Sequence, residues 1–142
     1  MKKLITGLLC SALLFGVCIF VFSCSDNSTP ETEGEKNAVT YAMINAEEAK
    51  SIMDSGADYV LIDSRTESEY VEGHIEGAIM IPEYEIESRA EELIRDKDTL
   101  ILVYCRSGRR SKIAADALVK LGYTNVKEFG GIIDWPYETV KD

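Results

Sequence analysis

The sequence predicts an α/β fold in which an open, mainly parallel sheet of four or five strands carries helices on both faces. Two continuous apolar runs, residues 59–62 and 100–104, lack the alternation of a half-exposed strand and therefore favour strands covered on both faces. Segments with apolar residues at helical spacing separate the strand candidates. Strands that alternate with helices over residues 38–142 are typical of an open α/β sheet.

Each remaining element has its own signal. Asn45 and Glu48 have the spacing of a capping box, which predicts the start of a helix after a short strand at 41–44. Gly122 is placed to end a later helix in a left-handed conformation. The other predicted elements are short strands at 78–81 and 126–129, a helix with Ile86, Ala90, Leu93 and Ile94 on its apolar face, and a helix with Ile113, Ala114, Ala117, Leu118 and Leu121 on its apolar face.

The composition is that of a globular protein and argues against nucleic-acid binding. The chain has 142 residues, of which 46% are hydrophobic and 28% are charged. Its 15 Lys and Arg stand against 25 Asp and Glu, so the formal net charge is −10. DNA and RNA binding needs a surface that neutralises phosphates, and we therefore expect no nucleic-acid partner.

Residues 1–23 have the pattern of an export signal, because Lys2 and Lys3 precede an uncharged, mostly aliphatic run. Residues 21–24, Val-Phe-Ser-Cys, resemble a bacterial lipobox, which implies that Cys24 is acylated and becomes the mature N-terminus. The prediction is a membrane-anchored lipoprotein of the bacterial cell envelope, facing the periplasm or the cell exterior. Because the apolar run is long enough to span a bilayer, an uncleaved N-terminal anchor and plain secretion stay open as alternatives.

Residues 24–37 are predicted to be a disordered acidic linker behind the lipid anchor. No large apolar residue occurs in this segment, so it cannot bury enough surface to offset its ordering entropy. The folded domain is predicted to occupy residues 38–142, a length at which one hydrophobic core is sufficient. Of the four cysteines, three lie at or before position 24, and Cys105 alone belongs to this domain.

The predicted active site lies where the second long apolar strand gives way to a helix. Cys105 follows the strand at 100–104, and helix N-termini attract negative charge. Gly108 permits a loop that turns several N–H groups inward. Because this setting and neighbouring Arg lower a thiol pKa, we expect a Cys105 thiolate that meets an anionic substrate or carries an anionic intermediate. The predicted loop residues are Arg106, Ser107, Gly108, Arg109 and Arg110.

Two other interpretations of Cys105 compete with this one. It could be a buried core thiol beside solvated Arg side chains, but the Gly-containing loop and the position at a strand end favour a functional site. A zinc site is disfavoured because one Cys and one His, His74, cannot fill a metal shell by themselves. We therefore expect no metal.

Several ordered motifs make the domain resemble a single-domain rhodanese, of the sulfurtransferase family. They are Asp63-Ser64-Arg65, Glu69-Tyr70, the segment 73–78, Ile81-Pro82, the loop 105–110 and the segment 130–135. The resemblance spans about residues 39–142 and implies a rhodanese-like sheet. It also implies that Cys105 takes a sulfane sulfur from a small anion such as thiosulfate, or from a persulfide, and passes it to a thiol or protein acceptor. No cofactor is implied, since the covalent sulfur is itself the carried group.

Loop length separates this function from Cys-based phosphatases and arsenate reductases, which resemble rhodaneses. A phosphatase-type cradle has five residues between Cys and Arg, and that Arg position is Ser111 here. Arg110 comes one residue earlier, so the loop resembles the shorter sulfurtransferase loop. We therefore expect sulfur transfer.

Residues outside the loop have weaker signals. Asp63 and Arg65 are candidates for support of the active site; Asp63 either orients a hydrogen bond there or caps the turn at 64–70. Arg65 is four residues from Glu69 and is expected to pair with it. His74 lies in a turn, which favours a structural role over general-base catalysis. Trp135 is expected to pack against the sheet.

Three functions stay open on the sequence. The first is an exported, membrane-tethered sulfurtransferase. The second is a non-enzymatic persulfide carrier or redox interaction module. The third is an inert interaction domain on a lipid tether, which the loop chemistry makes the least favoured.

Overall fold

Residues 40–141 are described by a computed structural model of the chain. The predicted signal peptide (1–23), the predicted lipidation site Cys24 and the predicted linker (24–37) lie outside these residues. Among the helices of the described part, none is long and apolar enough to cross a membrane.

Strands and helices alternate along the chain, as predicted. Their order is β1 (Ala42–Met43), α1 (Ala46–Asp54), β2 (Val60–Asp63), α2 (Glu67–Glu72), β3 (Ile79–Met80), α3 (Ile86–Leu93), β4 (Ile101–Cys105), α4 (Arg109–Lys120) and β5 (Val126–Gly131), with 3₁₀ turns at Glu83–Glu85 and Ile132–Asp134. The strand order across the sheet is β1-β5-β4-β2-β3, and all neighbouring strands in it are parallel. The predicted open α/β sheet is therefore confirmed.

Helices cover both faces of the sheet, as the unalternating apolar runs predict. Along β4, Ile101 and Val103 pack under α3 and α4, while Leu102 and Tyr104 pack on the opposite face with α1 and Trp135. Burial of each such aliphatic side chain stabilises the fold by about 1.5–3 kcal/mol. The predicted apolar faces of α3 and α4 each have one exception, since Leu93 is 49% and Ile113 is 45% exposed.

Capping boxes fix the starts of α1 and α2. The Asn45 side chain accepts a hydrogen bond from the Glu48 N–H at 2.8 Å, and the Glu48 carboxylate accepts one from the Asn45 N–H at 2.9 Å, which confirms the predicted start. Thr66 and Glu69 form the same box at α2, where the sequence predicts only a turn. The prediction of a turn alone was wrong, because a helix of six residues is too short to show helical periodicity in the sequence. Gly122 ends α4 with φ of 92°, as predicted.

The sheet topology brings the ends of β4 and β5 together. The register between these strands shifts after Val103, so that Cys105 lies opposite Gly131. The segment 106–108 then leads directly from β4 into α4. The predicted loop is thus placed at the carboxyl edge of a parallel sheet, where α/β folds hold their ligands.

Candidate active site

Cys105 is the last residue of β4 and is 1% exposed. The next residues curl over its sulfur. Gly108 has φ of 94°, a left-handed conformation that glycine adopts without strain, and its N–H donates to Cys105 Sγ at 3.1 Å. The structure therefore gives Gly108 the inward-turning role that the sequence predicts.

The pKa of the Cys105 thiol lies below its ordinary value. Burial acts to raise this pKa, but hydrogen bonds to the sulfur outweigh it. They come from the Ser111 hydroxyl and from the backbone N–H groups of Ser111, Ser107 and Gly108. The predicted lowering is confirmed, and its leading causes are loop and helix donors rather than Arg side chains.

The loop packs closely on the end of β5. A Cβ atom at Gly131 would lie 2.1 Å from the carbonyl oxygen of Arg106, so only glycine fits there without moving the loop. The same carbonyl accepts a hydrogen bond from the Ile133 N–H at 3.2 Å. Gly131 therefore sets how near the loop can come to the sheet.

A buried hydroxyl and a buried carboxylate lie behind the Cys105 sulfur. Ser111 Oγ is 3.4 Å from Cys105 Sγ and 2.6 Å from Glu128 Oε1. The same carboxylate oxygen accepts the Gly130 N–H at 2.8 Å. Ser111 is 0% and Glu128 is 3% exposed. The Cys105 sulfur is therefore linked to a buried acidic side chain through the Ser111 hydroxyl.

The three loop arginines differ in their surroundings. Arg110 Nη1 and Nη2 donate to the two Glu69 carboxylate oxygens at 2.6 and 2.7 Å. The predicted Arg65–Glu69 pair is therefore wrong, because the fold brings α4 against α2 and Arg110 reaches Glu69 with a two-point geometry. Arg106 and Arg109 are exposed at the surface of the loop.

Asp63 and Arg65 form a buried ion pair. Arg65 Nη2 lies 2.7 Å from Asp63 Oδ2, and the same nitrogen donates to the Gly73 carbonyl oxygen at 2.7 Å. Asp63 Oδ1 accepts the Arg65 backbone N–H at 3.0 Å, which is the capping alternative of the sequence analysis. Asp63 Oδ2 also accepts the Tyr104 hydroxyl at 2.7 Å. These contacts tie the ends of β2 and β4 together beside Cys105.

A protein-family model described as "Rhodanese-like domain" matches residues 45–136. The chain belongs to the rhodanese-like domain family. Thiosulfate sulfurtransferase PspE of Escherichia coli is 39% identical over 80 residues, which cover 56% of this chain and 77% of that protein. The putative sulfur carrier protein YrkF of Bacillus subtilis is 36% identical over 105 residues, which cover 73% of this chain and 56% of that protein.

A solved structure, described as a rhodanese with anions from E. coli, has a TM-score of 0.56 and 37% sequence identity to this chain. The match covers 59% of this chain and 99% of that one. The family match and these relatives together identify this rhodanese-like domain as a rhodanese-type sulfurtransferase.

His74 and Trp135 make contacts that are typical of a structural role in this rhodanese-like domain. The His74 ring stacks on Tyr70 with centroids 3.7 Å apart, and its backbone N–H donates to the Val140 carbonyl oxygen at 2.9 Å. Trp135 packs against Phe129 with centroids 5.6 Å apart, as predicted.

Sequence analysis missed Glu128 and gave Ser111 no role in sulfur chemistry. The one available signal for Glu128 was a charged residue in an otherwise apolar strand of the rhodanese-like domain, at 126–129. Ser111 follows Arg110 in the first turn of a predicted helix, where a hydroxyl side chain does not by itself indicate a functional role. Their meeting at Cys105 depends on the contact between α4 and β5, which local patterns do not reveal.

Proposed function

We propose that the protein is an exported, membrane-tethered sulfurtransferase in which Cys105 carries a sulfane sulfur from a donor such as thiosulfate to a thiophilic acceptor. The observation that carries the proposal is the Cys105 sulfur itself, seated under the Gly108 N–H and next to Ser111 Oγ. Its lowered pKa favours the thiolate, which is the nucleophilic form.

The reaction has two displacement steps. The Cys105 thiolate attacks the sulfane sulfur of thiosulfate, a bond forms between the two sulfurs, and the bond to the sulfonate sulfur breaks so that sulfite leaves with the electron pair. An acceptor thiolate then attacks the terminal sulfur of the persulfide, and Cys105 leaves as a thiolate. Both steps conserve charge and need no external oxidant or reductant.

The loop suits the charge that the intermediate carries. A persulfide ends in an anionic sulfur near neutral pH, and converging backbone N–H groups stabilise such a group without having to reorganise. The exposed cations Arg106 and Arg109 attract an anionic donor to a chain whose net charge is −10. The likeness to PspE, named a thiosulfate sulfurtransferase, supports thiosulfate as the first donor to test.

Intact-mass measurement tests the sulfur-carrying step. The purified chain is incubated with thiosulfate, and we expect a gain of one sulfur atom that a reductant removes. A Cys105→Ala variant should show no gain, while a Cys24→Ser variant should load as the wild type does. If several sulfane donors leave Cys105 unmodified, the proposal is wrong.

A sulfur-carrier function is the second candidate, favoured by the likeness to YrkF, which is named a putative sulfur carrier protein. A carrier and an enzyme both load Cys105, and they differ in turnover. Rapid repeated transfer from thiosulfate to cyanide or a small thiol supports the enzyme. Stoichiometric loading with negligible turnover supports the carrier.

The tether is proposed from the lipobox-like residues 21–24. Growth of the producing bacterium with a labelled fatty acid should label the wild-type protein and leave the Cys24→Ser variant unlabelled. Label in neither protein would leave the uncleaved anchor or secretion as the mode of export. The burial of Cys105 is compatible with export, since a shielded thiol resists pairing in an oxidising compartment.

A further inference from the structure

We propose that a groove between α1 and residues 134–138, which we call the α1 groove, binds a basic segment of a protein partner. Aromatic rings and carboxylates of the groove would hold the lysine or arginine side chains of that segment. The groove lies on the face of the sheet that carries α1 and Trp135. Binding there does not depend on Cys105, so it can be tested apart from the proposed function.

The α1 groove consists of three cavities that share lining residues. The largest in depth of aromatic lining has a volume of about 560 Å³, which is within the range of ligand sites, and Tyr59, Trp135 and Tyr137 line it. It shares Tyr137 with a second cavity and Pro136 with a third. The nine residues of α1 rise about 13 Å, a length that about four residues of an extended chain span. The groove therefore fits a peptide segment rather than a single small cation.

The charges along the α1 groove are mostly negative. One cation, Lys50, lines it together with five acidic residues, whereas the whole chain has 15 basic and 25 acidic residues. The five acids are Glu47, Asp54, Glu76, Asp134 and Glu138. Within the part of the chain that the structure describes, only Asp54 of these forms an ion pair, with Lys50. The other four side chains are exposed and can meet a cationic partner.

Lys50 shows how this surface holds a cation. Its Nζ atom lies 5.6 Å from the centroid of the Tyr137 ring and also pairs with Asp54. Tyr137 in turn packs edge to face against Trp135, with ring centroids 4.9 Å apart. Aromatic faces attract ammonium and guanidinium groups, and a nearby carboxylate adds a charge-assisted hydrogen bond. The side chains of a basic segment would therefore lie between these rings and the carboxylates that have no ion pair.

One end of the α1 groove lies beside the active-site loop. Asp134 lines that end, and the preceding residue, Ile133, donates its N–H to the Arg106 carbonyl oxygen at 3.2 Å. The loop carries the exposed cations Arg106 and Arg109, so the loop and the groove present opposite charges to solvent. A basic segment is therefore attracted to the groove rather than to the loop, and it holds the rest of the partner next to the loop.

Fluorescence anisotropy of a labelled hexalysine peptide tests the proposal on the full chain. We expect the double variant Glu76→Gln/Glu138→Gln to bind the peptide about tenfold more weakly than the wild type at low ionic strength. The matched control is Glu87→Gln/Glu92→Gln, which removes the same charge from α3 on the opposite face of the sheet and should bind within about twofold of the wild type. Equal weakening in both variants would mean that net charge alone attracts the peptide, and it overturns the proposal. The acidic segment 24–37 is the same in all these proteins, so binding to it cannot produce a difference.

Trp135 is the only tryptophan of the chain, so its emission shows whether the peptide binds in the groove. We expect unlabelled hexalysine to change this emission and to bind at least about tenfold more tightly than lysine amide, because several contacts form at once. Unchanged emission at saturation, or equal affinity for lysine amide, would contradict the docking of a basic segment. Cys105→Ala should bind the peptide as the wild type does. Sulfur loading of the wild type is measured alongside, so a protein that binds hexalysine but cannot be loaded refutes the proposed function alone.

Discussion

Arg110 and Glu69, 41 residues apart in the chain, form a two-point ion pair that joins the first turn of α4 to α2. The ion pair engages the guanidinium of Arg110, the residue immediately before Ser111. Arg106 and Arg109 are the exposed cations of the loop. One arginine of the motif therefore joins the loop to α2, and the side chains of the other two are exposed to solvent.

Loss of this ion pair should cost stability in a pH-dependent way. The Arg110 guanidinium lowers the pKa of Glu69 from 4.5 to about 2, so its stabilising effect is complete above pH 4.5 and is lost as the pH falls toward 2. Glu69→Gln should reduce the free energy of unfolding at pH 7 by about 1–2 kcal/mol. Denaturant unfolding of wild type and variant from pH 7 down to pH 2 measures this.

The control for this prediction is Glu85→Gln, which removes an i,i+4 pair with Arg89 whose side chains are 36% and 40% exposed. That change should cost no more than about 0.5 kcal/mol. The wild-type and Glu69→Gln unfolding curves should converge near pH 2, and a difference that persists there would show that Glu69 acts through packing.

Ser111→Ala should raise the pKa of Cys105 by removing its hydroxyl donor. We expect the midpoint of the alkylation profile to move up by about one pH unit. Ser107→Ala is the matched control, because Ser107 contributes its backbone N–H to the sulfur and that group is kept in the variant. Equal shifts in both variants would mean that general disturbance of the loop, rather than the Ser111 hydroxyl, controls the thiol.

The sheet was predictable because its signals are local. The apolar runs at 59–62 and 100–104 became β2 and β4 with one-residue shifts at their ends. The capping box at Asn45 was also predicted correctly, since both of its members lie within four residues of each other. Cys105 and Gly108 were placed correctly in the loop for the same reason, because a strand end, a glycine and a helix start are all visible in sequence.

The contacts that complete the site were not predictable, because they join distant segments. Glu69 was assigned to Arg65 by its i,i+4 spacing, yet Arg65 lies against Asp63 and Glu69 accepts Arg110 from another helix. Glu128 reaches Ser111 because α4 packs on β5. Helix spacing identifies which residues can meet within one element, and only the tertiary fold decides which partner is present.

Gly131→Ala should abolish or strongly reduce sulfur loading. The added Cβ would lie 2.1 Å from the Arg106 carbonyl oxygen, a backbone atom that cannot move without displacing the loop over Cys105. Intact-mass measurement after thiosulfate treatment checks this outcome. Gly56→Ala is the control; it has φ of 76° with open space around its Cβ position, so it should cost about 1 kcal/mol of stability and load normally. Normal loading by Gly131→Ala would show that the loop tolerates displacement.

Arg106→Ala and Arg109→Ala should weaken reaction with anions while sparing reaction with neutral reagents. Both side chains are exposed, so they act on a ligand through long-range attraction that salt screens. We expect each variant to lose about three- to tenfold in the rate of loading by thiosulfate and of alkylation by iodoacetate at low ionic strength. The rate with uncharged iodoacetamide should stay within about twofold of the wild type, and Arg95→Ala, an exposed arginine beyond α3, should change none of these rates. If iodoacetamide slows as much as iodoacetate does, the two arginines shape the thiol rather than attract the donor, and thiosulfate selection must arise from the backbone amides of the loop.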